Sequence, residues 1–462
     1  MFSRVLVANR GEIALRVVRA LREMGIESVV AYSQADKDTR AVQEADIAVC
    51  IGPAPSAKSY LNFAAVIGAA VSRACQAVHP GYGFLSENSD FARACADNNL
   101  VFIGPSADVI DRMGEKSNAK KTMIAAGVPC VPGSAGEVET LEDAFKVADE
   151  IGYPLLVKAS AGGGGKGMRE AWNAEELEKA YTTARSEARV AFGNDAVYLE
   201  KLISRPRHVE VQVLADEHGH VAALCERDCS VQRRHQKLIE EAPSPALDAD
   251  LRTRMCKSAC DAVRHVGYTN AGTIEFLLDE DGSYYFMEMN TRIQVEHGIT
   301  ELVTGVDLVR QQLRIASGLS LDMEQSDIRL TGHAIECRIN AENPGANFAP
   351  CPGRVEFVHF PGGAGVRVDS CLYNGCELSP WYDSLAAKLM VHAPTRLEAI
   401  RKMRRALEEF TLEGFPTNAE LSYQIMYHPV FVRGGCTTAF LDEHLPELLD
   451  FSRRVCESEG EP

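Results

Sequence analysis

The segment "MEMNTRIQVEH", residues 287–297, alternates between two kinds of side chain. If the segment is extended, every second residue points to the same side, so methionines and aliphatic residues fill one face. The other face then carries carboxylates, amides and a guanidinium, namely Glu288, Asn290, Arg292, Gln294 and Glu296. Such a row suits either a solvent-facing strand or one side of a site for a charged ligand.

The preceding residues, "TIEFLLDEDGSYYFMEMN", predict a β-hairpin. A two- or four-residue loop centred on 281–282 would place Glu275 opposite Glu288, and opposed carboxylates repel by roughly 0.2–1 kcal/mol. A divalent cation would remove this conflict, and Mg²⁺ in nucleotide enzymes takes one or two carboxylates plus phosphate oxygens and water. Asn290 shares the face and can add an oxygen. The alternative is a solvated sheet face, but the four aromatic residues of the hairpin indicate tight packing and favour the metal.

The glycine-rich stretch "VKASAGGGGKGMREAW" formally matches G-x-G-x-x-G, although four consecutive glycines satisfy many patterns. It is not a Walker A loop, because Gly167 stands where Ser or Thr is required. A helix begins only at Asn173, where Glu176 completes a capping-box spacing, so the loop is expected to join two strands. It is either a flexible surface hairpin or a flap whose N–H groups cover phosphates, and Lys158 and Lys166 favour the flap.

A cationic cluster occurs in "QRRHQKLIEEAP", where His235 and Lys237 share a parity. In "HVEVQVL", His208 lies on the polar face of an alternating strand. A basic run on a surface is the ordinary interpretation of such a cluster. In a chain with a net charge of -17, a local anion site is favoured instead.

Composition limits the possible functions of the 462-residue chain. The net charge of -17 disfavours binding to nucleic acid or to an anionic membrane. The apolar run near the start is only four residues long, too short for a signal peptide, and no run would span a bilayer. We therefore expect a cytoplasmic protein with reduced thiols.

Alternating strand and helix patterns up to about residue 105 predict an open, parallel α/β sheet. Its first turn, "ANRGEIA", lacks the dinucleotide fingerprint, which disfavours a Rossmann dehydrogenase. A small subdomain is expected after "GVPCVPGSAG", antiparallel hairpins over 207–300, and a third part from about residue 331 that closes with the helix "RLEAIRKMRRALEEF".

These stretches, in this order, resemble the ATP-grasp superfamily and, within it, the biotin carboxylase component of biotin-dependent carboxylases. The resemblance covers nearly the whole chain and is carried by "ANRGEIALR", "HPGYGFLSEN", "GVPCVPG", "KASAGGGGKGM", "RHVEVQVLAD", "ERDCSVQRRHQK", "EMNTRIQVEH", "ECRINAE" and "WYDS". It implies a multidomain α/β and α+β fold. The parts are an N-terminal α/β domain (1–112), an ATP-grasp domain (113–330) with a hinged lid (about 131–203), a C-terminal α+β domain (331–447) and a tail (448–462).

The resemblance also implies roles for single residues. ATP would be bound by Lys116, Lys158, His208 and His235, by the flap glycines Gly164 and Gly165, and by the adenine-binding hinge Glu200, Lys201, Leu202 and Ile203. Mg²⁺ or Mn²⁺ would be held by Glu275, Glu288 and Asn290. Bicarbonate would be bound by Lys237, Arg292, Gln294 and Val295, with Glu296 as its base. Biotin would meet Arg338, which stabilises its enolate, and Tyr82.

The implied reaction is phosphorylation of bicarbonate by ATP to carboxyphosphate, which delivers CO2 to biotin. Biotin would be presented by a separate biotin carboxyl carrier protein, since the sequence ends before any "AMKM"-type motif. A carboxyltransferase would then use it, with acetyl-CoA as the default acceptor ahead of propionyl-CoA or pyruvate. A homodimer is expected through the helix that bears Arg16, Arg19 and Glu23.

One departure from the family is Gly298, which stands where proline is usual and is expected to loosen the loop that holds Glu296. Two rival functions remain: another ATP-grasp ligase with a different acceptor, and a non-catalytic nucleotide-binding subunit. Arg338, Tyr82 and the bicarbonate set argue against the first. A non-catalytic subunit would be expected to have lost Glu275, Glu288, Arg292 or Glu296, and all four are present.

Overall fold

The computed structural model describes residues 1–134, 136–159, 168–192 and 195–459. The chain divides into two compact units. The first contains Met1–Val128, Arg207–Phe276 and Glu288–Pro462, and the second contains Pro129–Pro206 and Leu277–Met287. None of the helices in the described ranges is long and apolar enough to cross a membrane.

The first unit begins with the predicted parallel α/β sheet. Its elements are β1 (Arg4–Val7), α1 (Gly11–Glu23), β2 (Glu27–Ser33), α2 (Arg40–Glu44), β3 (Ile47–Gly52), α3 (Phe63–Ser72), β4 (Ala77–His79), α4 (Ser89–Asp97), β5 (Val101–Phe102), α5 (Ala107–Gly114) and α6 (Lys116–Ala125). The strand order is β3-β2-β1-β4-β5, and all pairs are parallel. Strand β1 is fully buried over Val5–Val7, because helices cover both faces of a parallel sheet.

The second unit is a small α/β layer. Over Pro129–Pro206 it contains α7 (Leu141–Ile151), β6 (Leu155–Ala159), β7 (Met168–Ala171), α8 (Ala174–Phe192) and β8 (Val197–Lys201). The strands form an antiparallel sheet in the order β7-β6-β8. Helix α8 begins where the sequence predicts, because the Glu176 N–H donates to Asn173 Oδ1 at 3.0 Å.

The chain continues with β9 (Arg207–Ala215), β10 (Val221–Arg233), β11 (Gln236–Ala242), α9 (Ala249–Val266), β12 (Asn270–Leu278), β13 (Tyr284–Asn290), α10 (His297–Thr304) and α11 (Leu308–Ala316). Of these residues, Leu277–Met287 belong to the second unit and the others to the first. The C-terminal part contains β14 (His333–Asn340), β15 (Glu342–Asn343), β16 (Ala349–Pro350), β17 (Phe357–His359), β18 (Val366–Ser370), β19 (Leu385–Ala393), α12 (Arg396–Glu409), β20 (Thr411–Glu413), α13 (Ala419–Tyr427), α14 (Pro429–Val432) and α15 (Phe440–Glu459).

One eight-stranded sheet joins these two parts, in the order β13-β12-β9-β10-β11-β14-β19-β18. Ile239 of β11 lies opposite Cys337 of β14, so backbone pairing continues across the predicted boundary at residue 330. The buried face towards α12 and α13 is aliphatic and includes Ile335, Leu389 and Ile400. The opposite face of the same strands carries the polar residues of the site.

The C-terminus differs from the predicted tail. The backbone is helical from Phe440 to Glu459, so a helix crosses the expected boundary at residue 448. The polar composition of this stretch hid the helix, since apolar residues become sparse after Leu449.

Candidate active site

The hairpin formed by β12 and β13 closes through a turn whose length differs from the prediction. The Gly282 N–H donates to the Asp279 carbonyl at 3.1 Å, and the Asp279 N–H donates to the Ser283 carbonyl at 2.8 Å. Three residues therefore separate Asp279 from Ser283, whereas a two- or four-residue loop was expected. Gly282 has a φ of 82°, the left-handed conformation that glycine adopts at no steric cost.

Glu275 and Glu288 nevertheless interact. Burial, together with the negative charge of Glu275, raises the pKa of Glu288 above its ordinary value of 4.5. Asn290 lies on the same side of the hairpin, because its Nδ2 donates to Glu275 Oε1 at 2.7 Å. This part of the site thus offers two carboxylates and an amide oxygen, and oxygen is the ligand that Mg²⁺ prefers.

Glu275 is surrounded by donors. Its Oε2 is 2.8 Å from His208 Nε2, and its Oε1 is 3.1 Å from Lys237 Nζ and 2.6 Å from Gln294 Nε2. Burial alone would raise the pKa of Glu275, but Lys237 and His208 hold it well below 4.5. Glu275 is therefore ionised at neutral pH.

Glu296 lies between two cations. Its Oε1 is 2.6 Å from Lys237 Nζ, and its Oε2 is 2.9 Å from Arg338 Nη2. Burial would raise the pKa of this carboxyl group, yet Lys237, Arg338 and Arg227 hold it well below 4.5. The result is a buried, ionised carboxylate that is 1% exposed.

The backbone near Glu296 is only partly extended. Strand β13 ends at Asn290, residues 291–296 are irregular, and Glu296 is the N-cap residue of α10. The alternation seen in the sequence still holds for Ile293, which is fully buried in the aliphatic core, and for Gln294, which contacts Glu275. The polar side chains of residues 288–296 therefore belong mainly to the cluster of charged groups around Glu275 and Glu296.

Arg292 is anchored at the rim of this cluster. Its Nε donates to Glu87 Oε2 at 2.8 Å, and its Nη2 donates to Asn290 Oδ1 at 2.8 Å. The Thr291 N–H also donates to Glu87, at 3.1 Å. Glu87, which no sequence pattern indicated, thus fixes both the backbone and the guanidinium at this point.

Arg227 is a second residue that sequence reasoning missed. It is fully buried on β10, and it donates to Glu210 Oε1 at 2.6 Å, Gln212 Oε1 at 2.8 Å and Gln294 Oε1 at 2.8 Å. Glu210 in turn lies 2.6 Å from Lys237 Nζ. The alternating polar positions of "HVEVQVL" were the available signal, because a buried polar face requires a buried cation to balance it.

Arg338 and Tyr82, which were predicted to meet biotin, each contact a buried glutamate. Arg338 Nε donates to Glu240 Oε1 at 2.6 Å, in addition to its contact with Glu296. The Tyr82 hydroxyl donates to Glu12. Lys388, fully buried on β19, lies 3.2 Å from Glu12 and donates to the Val295 carbonyl at 2.8 Å.

The sequence pattern predicted that His235 and Lys237 share one face of a strand, but the structure places them differently. Arg234 and His235 form the two-residue turn between β10 and β11, with φ values of 48° and 66°. His235 is exposed at this turn, whereas Lys237 points into the carboxylate cluster. Parity arguments fail here because the turn interrupts the strand.

Other predicted nucleotide ligands are placed as follows. Lys116 is the first residue of α6, and its Nζ is 3.9 Å from Glu288 Oε2. In the second unit, Lys158 forms an ion pair with Glu200 across β6 and β8. Lys201 donates to the Gly152 carbonyl at 3.3 Å.

Two further residues of the predicted hinge also lie in the second unit. The Leu202 N–H donates to the Pro154 carbonyl at 3.0 Å, and Ile203 is buried. Gly164 and Gly165 lie outside the described residues.

Gly298, which was expected to loosen the loop that holds Glu296, stands in a closely packed helix. It lies in the first turn of α10 and is buried, and a Cβ added there would stand 2.3 Å from Met390 Sδ on β19. The absence of a side chain lets the helix approach the sheet closely. The glycine that stands here in place of the family's usual proline therefore lies in a closely packed region.

A parallel α/β sheet followed by a sheet lined with carboxylates and cations defines an enzyme of the ATP-grasp class. Family models match the chain as follows: the biotin carboxylase N-terminal domain over residues 1–110, the ATP-binding domain of the carbamoyl-phosphate synthase L chain over 115–324, and the biotin carboxylase C-terminal domain over 336–443. The chain belongs to the biotin carboxylase family, whose members carboxylate biotin at the expense of ATP.

Individual relatives agree with this assignment. The chain is 55% identical to the biotin carboxylase of Nostoc sp. over 442 residues, which are 96% of this chain and 99% of the relative. It is 51% identical to a pyruvate carboxylase subunit of Methanothermobacter thermautotrophicus over 462 residues, 100% of this chain and 94% of the relative.

A solved structure is also similar to the chain. It is the biotin carboxylase domain dimer of Hydrogenobacter thermophilus 2-oxoglutarate carboxylase, in complex with MgADP, ADP and bicarbonate. The TM-score is 0.88 at 49% identity, with 97% of this chain and 98% of that chain covered.

Proposed function

We propose that this biotin carboxylase activates bicarbonate through carboxyphosphate and carboxylates the biotin of a carrier protein, as the first half-reaction of acetyl-CoA carboxylase in the cytoplasm. The observation that carries the proposal is Glu296, an ionised carboxylate held between Lys237 and Arg338. A base must be deprotonated at the working pH, and the two cations maintain that state in a buried position.

Bicarbonate is the proposed substrate at this base. Lys237 and Arg292 supply the positive charge that an oxyanion requires, and Gln294 and the Val295 backbone complete the pocket. Glu296 takes the bicarbonate proton, which makes the bicarbonate oxygen a better nucleophile towards the terminal phosphate of ATP. Support comes from the similar structure that contains bicarbonate.

Nucleotide and metal are proposed at the adjacent residues. Glu275, Glu288 and Asn290 would hold Mg²⁺, or Mn²⁺, which would offset the negative charge of the ATP phosphates. Repulsion between Glu275 and Glu288 supports this assignment, because a cation would relieve it. ATP would be bound by the remaining predicted residues, which are Lys116, Lys158, Gly164, Gly165, Glu200, Lys201, Leu202, Ile203, His208 and His235.

Arg338 and Tyr82 are proposed to bind biotin, with Arg338 stabilising the enolate that attacks CO2. The first half-reaction would be the same whichever acceptor follows, and the similar proteins include a domain of 2-oxoglutarate carboxylase and a pyruvate carboxylase subunit. We propose acetyl-CoA as the final acceptor, used by a separate carboxyltransferase. Isolation of the native complex and identification of its acyl-CoA substrate would test this choice.

A homodimer is also proposed. Arg19 and Glu23 are exposed on α1, whereas Arg16 is engaged by Glu301 at 3.0 Å and Asp307 at 2.7 Å. Sedimentation of the purified chain would test the dimer, and charge reversal at Arg19 and Glu23 should weaken it.

The proposed reaction is tested by measuring ADP release from ATP and Mg²⁺. ADP formation should depend on both bicarbonate and free biotin, and carboxybiotin should accumulate in proportion. ADP formed equally well with an amine or acid acceptor would instead indicate a different ATP-grasp ligase. Binding of ATP without any turnover would indicate a non-catalytic subunit.

A further inference from the structure

Two buried glutamates lie opposite each other next to Arg338. Glu240 on β11 and Glu336 on β14 are directly opposite in the antiparallel register, and both are 0% exposed. Neither oxygen of Glu336 has a hydrogen-bond partner among the described residues, and neither does Glu240 Oε2. Buried polar atoms of this kind require a physical explanation, because an unmade hydrogen bond in the interior is costly.

A shared proton supplies that explanation. Two carboxylates that face each other in the interior repel too strongly for both to be ionised. Glu240 Oε1 already accepts from Arg338 Nε at 2.6 Å, so Glu240 is the better site for the charge. Burial raises the pKa of Glu240 to about 7 and that of Glu336 well above its usual value, in spite of the nearby cations Lys388 and Arg338.

The surrounding charges agree with one proton on the pair. Strand β19 contributes Lys388, which is already engaged by Glu12 and the Val295 carbonyl. Strand β14 contributes Arg338, which is shared between Glu240 and Glu296. The other titratable neighbours include Lys237 on β11, bound to three carboxylates, and the buried thiols of Cys229 and Cys337.

We propose that Glu336 is a positioning residue whose carboxyl proton is donated to Glu240 Oε2, so that the pair carries a single charge and holds Arg338 against Glu296. The functional part of this inference rests on the role proposed above for Arg338 in biotin carboxylation. Arg338 Nη2 already lies 2.5 Å from Glu240 Oε1 and 2.9 Å from Glu296 Oε2. Without a donor at position 336, the unpaired Glu240 Oε2 would compete with Glu296 for this N–H. The guanidinium would then turn away from Glu296.

The donor, rather than the charge, is what position 336 must supply. Glu336→Gln keeps an N–H donor of similar shape, while Glu336→Met keeps the volume and removes the donor. Ile335→Val is the matched control, because Ile335 is the neighbouring residue of the same strand and its side chain packs in the aliphatic core on the other face. Kinetics with free biotin, ATP and bicarbonate should be measured for all three variants.

We expect Glu336→Met to raise the KM for biotin about tenfold with little change in the KM for ATP, because a supporting hydrogen bond is lost. Glu336→Gln should restore the KM for biotin to within about twofold of the wild type, and Ile335→Val should leave it unchanged. Equal effects of the Gln and Met variants, or no effect of the Met variant, would overturn the proposed positioning role.

Infrared spectroscopy tests the shared proton independently of activity and of the folding of the Met variant. The wild type should show a carboxylic acid carbonyl band near neutral pH that Glu336→Gln removes. A wild-type spectrum without that band would refute the shared proton. If the band is present but the wild type shows no biotin-dependent ADP release, the proposed function fails while the shared proton stands.

Discussion

Lys237 Nζ lies 2.6 Å from Glu296 Oε1, although Lys237 is on β11 and Glu296 precedes α10, 59 residues later. Glu296 is buried and the Lys237 side chain is only 11% exposed, so their mutual attraction is screened far less than at a surface. Arg338 approaches the other oxygen of Glu296. The sheet and the helix together thus hold one carboxylate in its ionised form.

Glu296→Gln should abolish the reaction while preserving the fold. The amide has nearly the same shape, but it cannot accept the bicarbonate proton, and loss of a general base costs about 10²–10⁴-fold in rate. ADP release in the presence of bicarbonate and biotin should fall by at least about 10²-fold, with ATP affinity retained. Glu356→Gln, at an exposed position, is the control. Near-normal turnover of Glu296→Gln would exclude this residue as the base.

Lys237→Met should change the pH dependence of kcat/KM for bicarbonate. Lys237 is the strongest of the charges that lower the pKa of Glu296, so its removal raises that pKa. The carboxylate is then protonated over more of the acid range, and the acid limb of the profile should move to higher pH. The measurement compares the limb in the wild type and the variant at saturating ATP. A limb that stays in place, or moves to lower pH, would contradict the electrostatic role.

Much of the fold could be predicted because local patterns and backbone pairing agree. The first strand, helix and second strand follow from hydrophobic spacing, and the parallel sheet that they imply is present. The hairpins with turns near residues 216–220 and 279–283 follow from alternation and turn residues. The resemblance to the family then predicted the order of the N-terminal, ATP-grasp and C-terminal domains.

The remaining features depend on contacts between distant segments, which local patterns do not encode. Arg227 could not be paired with Gln294 from the sequence, because 67 residues separate them. His235 was misplaced because a two-residue turn breaks the strand parity. The pairing of β11 with β14 was also unexpected, since it crosses what looked like a domain boundary.

Glu288→Gln should weaken the metal dependence of ADP release. Glu288 has a pKa raised by burial and by Glu275, and a bound cation would favour its ionised form. We expect the Mg²⁺ concentration for half-maximal activity to rise about 10–100-fold, the usual order for disturbed metal sites. Glu280→Gln, in the exposed hairpin turn, is the matched control. Unchanged Mg²⁺ dependence would remove Glu288 from the proposed ligand set.

Gly298→Ala should destabilise the protein. The added Cβ would lie 2.3 Å from Met390 Sδ in a closely packed region, and such overpacking costs about 1–3 kcal/mol. The gain of roughly 1 kcal/mol that alanine brings to a helix offsets only part of this. Gly68→Ala is the control, because α3 leaves open space at that position, and it should be neutral or stabilising. Equal unfolding midpoints for the two variants would show that Met390 moves aside freely.

The pH dependence of stability should distinguish Glu336 from its neighbour Glu241. Burial raises the folded-state pKa of Glu336, so the folded protein binds more protons there than the unfolded chain, and stability falls as pH rises from about 4.5 towards the raised value. Glu336→Gln removes this loss, so the variant should gain stability relative to the wild type as pH rises.

The pKa of Glu241 is lowered in spite of burial, because His333 Nε2 at 2.8 Å and Arg396 Nε at 2.6 Å favour its ionised form. Glu241→Gln should therefore be less stable than the wild type by an amount that is constant above about pH 5 and shrinks only in more acidic solution. Denaturant unfolding across the range from about pH 5 to about pH 8 measures both differences. A Glu336→Gln difference that stays constant over that range would show that the folded protein does not keep Glu336 protonated above the pKa of the unfolded chain.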